Sequence, residues 1–129
     1  AIHRLGLEFD ESLVFETSNY DTDSGIHGLE YFLKRGKLPD AIFCASGDMT
    51  AIGLMTEAQK RGIKVPQDLA IMGYDDLPVA GVVTPGLTTI RQRLMIAGAG
   101  ALVLAYENAV NGQGDSLIIM PELVERGSA

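Results

Sequence analysis

Carboxylates follow two apolar segments of the chain. Residues 41–46 lead to Asp48, and residues 69–73 lead to Asp75 and Asp76. Parallel strands that are covered by helices point the same way, and their carboxyl ends form the rim of one crevice in which ligands bind. We therefore expect the three acids at one crevice, where a carboxylate can accept hydrogen bonds from neighbouring hydroxyls of a sugar or from donors on a nucleobase.

The three acids differ in the role that their surroundings favour. We expect Asp75 to contact the ligand and Asp76 to serve structure, for example by capping a turn, because the polar groups of a binding site are few and convergent. Asp48 can cap the helix that it begins or contact the ligand, and the sequence leaves both roles open. Ser46 and Gly47 form the turn between strand and helix, where backbone N–H groups are free to bind a ligand.

Aromatic and sulfur-containing side chains add further candidates. Tyr20 lies in the polar loop of residues 18–24, and its ring can stack on a sugar or a base, although a role in the core or in a lid fits equally well. The single cysteine, Cys44, excludes an intrachain disulfide and has the apolar neighbours of a buried residue. Neither Cys44 nor His3 and His27 has the spacing of a nucleophile or a metal site, so we expect no metal and no cofactor.

Apolar segments alternate with helical ones along the chain, which predicts the α/β class with a parallel sheet covered by helices. Residues 1–5 have the pattern of the end of a helix, with Gly6 as its cap. The predicted strands are residues 13–17, 41–46, 69–73, 88–90, 116–120 and 122–124, and the predicted helices are residues 25–35, with Asp23 or Ser24 as N-cap, residues 48 to about 61, and residues 94–111.

Length and charge narrow the classes of function. A chain of 129 residues with 47% apolar residues is the size of one domain and can bury a core. Its 17 acids and 10 bases give a net charge of −7, which disfavours direct binding to phosphate backbones. No signal segment opens the chain, and the apolar run near residues 94–106 is shorter than the roughly 20 residues of a membrane span. We expect a soluble, cytoplasmic protein without membrane contact, provided that the true start is present.

Several motifs occur in an order that resembles the effector-binding region of lactose-repressor-type (LacI/GalR family) bacterial transcription regulators. They are an aromatic-x-x-x-Ser-Gly run at residues 20–25, the apolar strand before Asp48, Gly-Tyr-Asp-Asp at 73–76, Leu-Thr-Thr-Ile-x-Gln at 87–92 and Pro-Glu-Leu-Val-x-Arg-Gly-Ser at 121–128. The resemblance covers nearly the whole chain. It implies a type I periplasmic-binding-protein-like fold, a parallel-sheet βα sandwich, with residues 1–90 and 113–129 in a C-terminal subdomain and residues 91–112 in an N-terminal one.

The resemblance also implies roles for individual residues. Asp75, the first acid of Gly-Tyr-Asp-Asp, matches the family's usual effector contact, and Tyr20 matches an aromatic position of the pocket. Where the family has Asn-Asp or Ser-Asp after the strand, this chain has Ser46, Gly47 and Asp48, one residue more. Either Ser46 or Gly47 therefore takes the place of the usual polar contact.

Further positions match the crossover between the subdomains and the dimer interface of the family. Gln92 matches a glutamine at that crossover, where we expect it to hydrogen-bond backbone groups, and Leu94 is an additional pocket candidate. Of the interface positions, the two on the helix after Asp48 fit a core role equally well. The positions that match the interface are Ile52, Met55, Val82 and Val83.

The function that the resemblance implies is the effector-sensing and dimerisation part of a DNA-binding transcription regulator. A sugar or nucleoside-type metabolite would modulate binding to operator DNA, which would itself be bound by a helix-turn-helix domain that we expect upstream of residue 1. A periplasmic sugar-binding protein of a transport system shares the fold and is the alternative. We expect no enzyme: a phosphoryl-accepting role for Asp48 or Asp75 requires a cation nearby, and no lysine follows Lys64.

Overall fold

Four strands form one sheet in the order β1-β2-β3-β4. The structure, a computed structural model, describes residues 2–6, 8–36, 38–112 and 115–129. Strands β1, β2 and β3 run parallel, and β4 pairs with β3 in the antiparallel direction. The predicted α/β class with a mainly parallel sheet is confirmed. The strands are β1 (Ala41–Phe43), β2 (Ala70–Asp75), β3 (Thr88–Arg91) and β4 (Glu122–Val124).

Among the described residues, three α-helices accompany the strands, and the predicted alternation of strand and helix is present. The first helix precedes β1, the second connects β1 to β2, and the third lies between β3 and β4. Short 3₁₀ turns occur at Ile2–Leu5, Glu11–Leu13 and Pro78–Gly81. The helices are α1 (Thr22–Lys34), α2 (Asp48–Lys60) and α3 (Leu94–Asn111).

Helix α1 begins earlier than its apolar pattern predicts, because Asp21 caps it. The Asp21 carboxylate accepts a hydrogen bond from the Ser24 backbone N–H at 2.9 Å and another from the Ser24 hydroxyl at 2.7 Å. An acceptor at the N-cap satisfies the N–H of the third helical residue, which is Ser24 here. The prediction of Asp23 or Ser24 as N-cap is therefore wrong by two or three residues.

Helices α1 and α2 approach each other closely because each has a glycine at their crossing. A Cβ atom at Gly25 would overlap the carbonyl oxygen of Thr50, and a Cβ atom at Gly53 would overlap that of Thr22. Helices usually pack 8–10 Å apart, depending on the side chains at the contact. The two glycines thus let α2, which begins at the candidate site residue Asp48, pack closely against α1.

The hydrophobic core lies between the sheet and these two helices. Most of its residues come from α2, from β2 and from the segments that flank the strands. Cys44 is among them, as its apolar neighbours predict. The core residues are Leu29, Cys44, Ala51, Ile52, Leu54, Met55, Ala58, Val65, Leu69, Ile71, Ala80 and Leu87.

Some predicted strands are shorter than expected or absent. Residues 13–17 form no strand, β1 ends at Phe43 instead of Ser46, and residues 116–120 lie outside the sheet. A strand requires a neighbour that accepts its backbone hydrogen bonds, so strand-forming side chains alone are insufficient. Among the described residues, none pairs with 13–17 in a sheet.

Helix α3 occupies the predicted residues but is unlike the other two helices. None of its residues is buried, and its exposed side chains are largely apolar, including Met95, Leu102 and Tyr106. Its 18 residues have a mean hydropathy of 1.3, so it has the length and composition of a membrane-spanning helix. One such helix is weak evidence for a membrane span, since helices that pack inside soluble proteins meet the same criterion.

Candidate functional site

Asp48 begins α2 at the carboxyl end of β1, but its side chain turns into the protein. The residue is fully buried, and its two carboxylate oxygens accept hydrogen bonds from the Thr89 hydroxyl at 2.5 Å and from the Leu77 backbone N–H at 2.7 Å. The N-cap of α2 is Gly47, so an N-cap role for Asp48 is wrong. The two oxygens link α2 to β3 and to the loop after β2. The side chain has no exposed surface that a ligand could contact.

Asp76 has a structural role, as predicted for the second acid of the pair. Its carboxylate accepts hydrogen bonds from Arg91 and Arg126, each at 2.6 Å, and its side chain is 9% exposed. Burial raises the pKa of the Asp76 carboxyl, but the hydrogen bonds from Arg126 and Arg91 outweigh it and hold the pKa below the ordinary 3.8. Asp76 therefore remains ionised and ties β2, β3 and the C-terminal segment together.

Asp75 ends β2 in an uncommon backbone conformation. Its φ of 108° lies in the region that side chains other than glycine rarely adopt, and such residues concentrate at functional sites. The Gln92 side chain donates a hydrogen bond from Nε2 to Oδ1 of Asp75 at 2.6 Å. Gln92 thus bonds a side chain, whereas the resemblance led us to expect backbone partners. Asp75 is only partly buried, so its carboxylate remains within reach of a ligand.

Gly47 lies beside Asp75 and cannot be replaced by a residue with a side chain without strain. Its φ is 116°, and a Cβ atom there would lie 3.1 Å from Oδ2 of Asp75. Gly47 can therefore offer a ligand only its backbone groups. The neighbouring Ser46 has a hydroxyl and is partly buried. The structure brings together Asp75, Gly47 and Gln92, which are distant in sequence, at the carboxyl end of β2.

A large groove runs along β1, and Tyr20 and Ser46 line it. The groove, here called the β1 groove, has a volume of about 750 Å³. Residues 13–17 form one wall, residues 41–46 form the other, and α1 and α2 contribute the floor. Tyr20 is 74% exposed, so it has no core role in this structure.

A smaller groove connects the Asp75 region to α3. Gln92, Leu94 and Tyr74 line it, and its volume is about 220 Å³. Leu94 is largely exposed. Asp75 lines neither groove, but its hydrogen bond from Gln92 places its carboxylate next to the smaller one. The predicted site residues thus form two neighbouring groups, with Tyr20 and Ser46 in the β1 groove and Asp75, Gln92 and Leu94 nearer α3.

The positions predicted for a dimer interface divide between core and surface. Met55 is 1% exposed and Ile52 is 9% exposed, and both pack in the core. Their assignment to an interface is corrected, and the core role considered for them accounts for their apolar character. Val82 is 79% exposed, while Val83 is partly buried against the core.

Cys44 is buried, and its thiol is unreactive in this structure. Burial raises the pKa of the Cys44 thiol to about 12, and the charge of nearby Asp48 adds to the rise, so the thiol stays protonated and unreactive. Among the described residues, no group of three histidine, cysteine or acidic side chains is placed to hold a metal ion.

The residues that hold the frame of the site were missed in the sequence. Thr89 is the hydroxyl partner of Asp48, and Arg126 is a partner of Asp76. Ser128 is fully buried: its hydroxyl donates to the Ile71 carbonyl at 2.6 Å and accepts from the Thr88 N–H at 2.9 Å. Polar residues within apolar strand motifs are the signal that could have found them, although their partners lie 38 to 57 residues away.

Comparisons with known proteins identify relatives of the chain. The HTH-type transcriptional repressors PurR of Salmonella arizonae and Salmonella newport are each 36% identical to the chain over 112 residues. The matched part is 85% of this chain and 33% of each repressor, so the chain spans about a third of the length of these curated relatives.

Solved structures have the same fold. A LacI-type transcription regulator from Bifidobacterium animalis subsp. lactis superimposes with a TM-score of 0.85 at 30% identity, over 98% of this chain and 45% of that one. The transcriptional regulator CelR in complex with cellobiose superimposes with a TM-score of 0.86 at 28% identity, over 99% of this chain and 39% of that one.

The profile of the periplasmic binding protein-like domain matches residues 1–129, and the chain belongs to that family. The relatives described above are transcription regulators rather than transport proteins. Within the family, the chain is accordingly an effector-binding region of the LacI/GalR type, as its motifs indicated.

Proposed function

We propose that this chain is the effector-sensing and self-association part of a DNA-binding transcription regulator. The observation that carries the proposal is the partly buried Asp75 carboxylate at the carboxyl end of β2, which Gln92 holds in position and whose backbone adopts a strained φ. Strain of this kind costs about 1–3 kcal/mol, persists where the surrounding structure enforces it, and is concentrated at functional sites. The ligand would bind to the Asp75 oxygens and to neighbouring backbone groups.

The ligand is a small polar metabolite, a sugar or a nucleoside-type compound. A carboxylate accepts two hydrogen bonds from vicinal hydroxyls or from donors on a base, and an exposed aromatic ring such as Tyr20 can stack on either. The relative CelR binds cellobiose, which is a sugar. In this proposal the ligand contacts are Asp75, Tyr20, Ser46, Gly47, Gln92 and Leu94, and Asp48 is left out because it is fully buried.

Control of transcription requires that the ligand prefers one conformation of the regulator. Gln92 is suited to this role, because it follows β3, bonds Asp75 and lies two residues before α3. We assign residues 1–90 and 113–129 to one subdomain and residues 91–112 to another. In this assignment Asp75 lies near the junction between them, so a ligand bound to Asp75 would affect the geometry of that junction. A change in the angle of that junction would alter operator binding.

The proposed partners follow from the same assignment. The regulator is cytoplasmic, forms a homodimer with Val82 and Val83 at its interface, and binds operator DNA through a separate domain. Of these two valines, Val82 has the largely exposed side chain. Catalysis is not part of the proposal, because the described residues offer no nucleophile paired with a base.

The test is calorimetric titration of the full-length regulator against sugars, sugar phosphates and nucleobases, with operator binding measured in parallel. We expect Asp75→Asn to weaken binding of the ligand so identified by about 10- to 100-fold, because a hydrogen bond to a charged group contributes about 1.5–3 kcal/mol. Asparagine suits the position because it tolerates positive φ better than most residues.

The matched control is Asp115→Asn, which removes the same charge from an exposed position outside the helices and strands. Its affinity for ligand and operator should equal that of the unchanged protein. Equal ligand affinity of Asp75→Asn and the control would exclude Asp75 from the site. A full-length protein that binds DNA without response to any compound would contradict the sensing role.

A further inference from the structure

The backbone adopts positive φ at two consecutive residues where β2 ends. The φ angles are 108° at Asp75 and 55° at Asp76, and among the described residues these are the only residues other than glycine with positive φ. Residues with a side chain rarely adopt such angles, and the conformation persists only where the surrounding structure enforces it. Other groups of the protein must therefore hold this part of the backbone.

The two backbone N–H groups that follow Asp75 are bound by side chains from two other elements. The N–H of Asp76 donates to the hydroxyl oxygen of Thr89 in β3 at 3.4 Å, and the N–H of Leu77 donates to Oδ2 of Asp48 in α2 at 2.7 Å. The Thr89 hydroxyl donates in turn to Oδ1 of Asp48 at 2.5 Å, so the two acceptors are joined. Both acceptor residues are fully buried, where hydrogen bonds are stronger than in water.

The strand before Asp75 leaves space for this network. A Cβ atom at Gly73 would overlap Oδ1 of Asp48, and Gly73 pairs with Thr89 in the register of β2 and β3. A glycine inside a strand often marks the close approach of another group. Here that group is the carboxylate of Asp48, which lies against β2 beside Thr89.

The side chain of Asp75 is positioned by neighbours of the same residues. Gln92, three residues after Thr89, donates its side-chain hydrogen bond to Oδ1 of Asp75. Gly47, directly before Asp48, has no Cβ atom and so leaves room for Oδ2 of Asp75. The same two segments of the chain therefore hold both the side chain of Asp75 and the backbone that follows it.

We propose that Thr89 and Asp48 are positioning residues of the Asp75 site. Together they fix the positive φ angles at Asp75 and Asp76 and so direct the Asp75 carboxylate toward the ligand. Neither of them contacts the ligand, because both are fully buried. The inference rests on the proposed function, in which Asp75 binds the ligand.

Amide hydrogen exchange in the ligand-free, full-length protein tests the hold on the backbone. In Thr89→Val the Asp76 N–H loses its acceptor. The amide of Cys44, which bonds the Met72 carbonyl, reports the stability of the sheet and is the internal reference. Relative to it, we expect the amides of Asp76 and Leu77 to exchange about 10-fold faster in the variant. An unchanged ratio would overturn the proposal.

Ligand titration tests the effect on the site. The full-length protein and its variants are titrated by calorimetry against sugars, sugar phosphates and nucleobases, at a temperature where all of them are folded. For the panel compound that the unchanged protein binds, we expect Thr89→Val to weaken affinity about 10-fold. Thr89→Ser keeps the hydroxyl and should restore both the affinity and the exchange ratio.

Ile71→Val is the matched control for a general loss of stability. Ile71 is fully buried in the core, as Thr89 is fully buried, and both residues become valine. The control should lower the stability of the protein, as Ile→Val changes in cores usually do, and should leave the exchange ratio and the affinity unchanged. If it reduced affinity as much as Thr89→Val, the role of Thr89 would be general stability, and the positioning role would be wrong.

Two results separate this inference from the proposed function. If Asp75→Asn weakens binding and Thr89→Val does not, the positioning role is wrong and the proposed function stands. If no panel compound binds, or if Asp75→Asn binds as well as the unchanged protein, the proposed function fails. The exchange ratio then decides alone whether Thr89 holds the backbone at Asp75.

Discussion

At the scale of single residues, neighbouring acids differ in how many hydrogen bonds their carboxylates accept within the protein. Asp48 and Asp76 are held by hydrogen bonds from groups that lie far away in sequence, while Asp75 receives one hydrogen bond from Gln92 and is only partly buried. A carboxylate whose two oxygens both accept hydrogen bonds within the protein stabilises the frame of the site. A carboxylate with fewer such hydrogen bonds can still accept hydrogen bonds from a ligand.

Replacement of Asp48 by asparagine tests its structural role. An amide places an oxygen at only one of the two carboxylate positions and an NH2 group at the other, so the charge-assisted hydrogen bonds from Thr89 and Leu77 cannot both be kept. We expect Asp48→Asn to lower the free energy of unfolding by about 1–3 kcal/mol, measured by urea denaturation. Asp115→Asn serves as the control, and equal stability of the two variants would refute a structural role for Asp48.

The ion pairs of Asp76 predict a pH dependence. Because its folded pKa lies below that of the unfolded chain, ionised Asp76 contributes stability that is fully present above the unfolded value of about 3.9 and is lost as the pH falls through the folded value. Unfolding free energies of the unchanged protein and of Asp76→Asn should therefore converge as the pH falls below about 4. A constant difference across this range would contradict the assignment.

The sequence permitted part of this residue-level picture. The structural role of Asp76 was predicted from the rule that the polar groups of a binding site are few, and the ligand role of Asp75 stays a prediction. The inward turn of Asp48 could not be predicted, because it depends on Thr89, which is 41 residues away. A carboxylate at the start of a helix has a local role as a cap, and only the tertiary structure shows that Gly47 holds that position instead.

At the scale of elements, the crossing of α1 and α2 sets the position of the first turn of α2. We expect Gly25→Ala to lower the free energy of unfolding by about 2 kcal/mol, because the added methyl group would overlap the backbone of Thr50. Gly98→Ala in α3 is the control: nothing lies within 4 Å of the added Cβ, so the variant should gain about 0.5–1 kcal/mol from helix propensity. Denaturant titration of both variants distinguishes the effect of close packing from that of helix propensity. A gain in the free energy of unfolding for Gly25→Ala would contradict the close approach of α1 and α2 at this residue.

Strands that have neighbours on both sides were predicted well, and predicted strands without a neighbour did not form. β2 and β3 occupy nearly the predicted residues because each pairs on both sides. Residues 13–17 have the composition of a strand but pair with no strand in the described part of the chain. Local sequence encodes the tendency to form a strand, whereas a partner elsewhere in the protein decides whether the strand forms.

At the scale of the whole molecule, apolar surface is concentrated on α3. A patch of this kind usually marks an interface with another protein segment. We expect the 129-residue chain to bind the dye ANS and to self-associate, and the double variant Met95→Lys, Leu102→Lys to do both less, as measured by fluorescence and sedimentation. Thr56→Lys adds charge to an exposed polar site and should change neither property. If the double variant bound as much dye as the unchanged chain, the dye would bind to an apolar surface outside α3.

The overall class was predictable because it depends on the period of apolar residues rather than on particular contacts. Alternating strand and helix segments indicated a parallel sheet, and the order of motifs indicated the family. The exposure of α3 could not be predicted from its sequence, because a nearly uniform apolar composition is typical of a helix that other elements cover. What covers it is not encoded within residues 94–111.

The buried Ser128 hydroxyl has a consequence for the timing of folding during synthesis. Ribosomes make the chain from its N-terminus, and early segments generally fold first. The Ile71 carbonyl and the Thr88 N–H receive their partner only when a residue 57 and 40 positions later, respectively, has emerged. Until then β2 and β3 each have a backbone group without its hydrogen-bond partner, so the nascent sheet stays incomplete. A chaperone that binds exposed strands can bind during that interval.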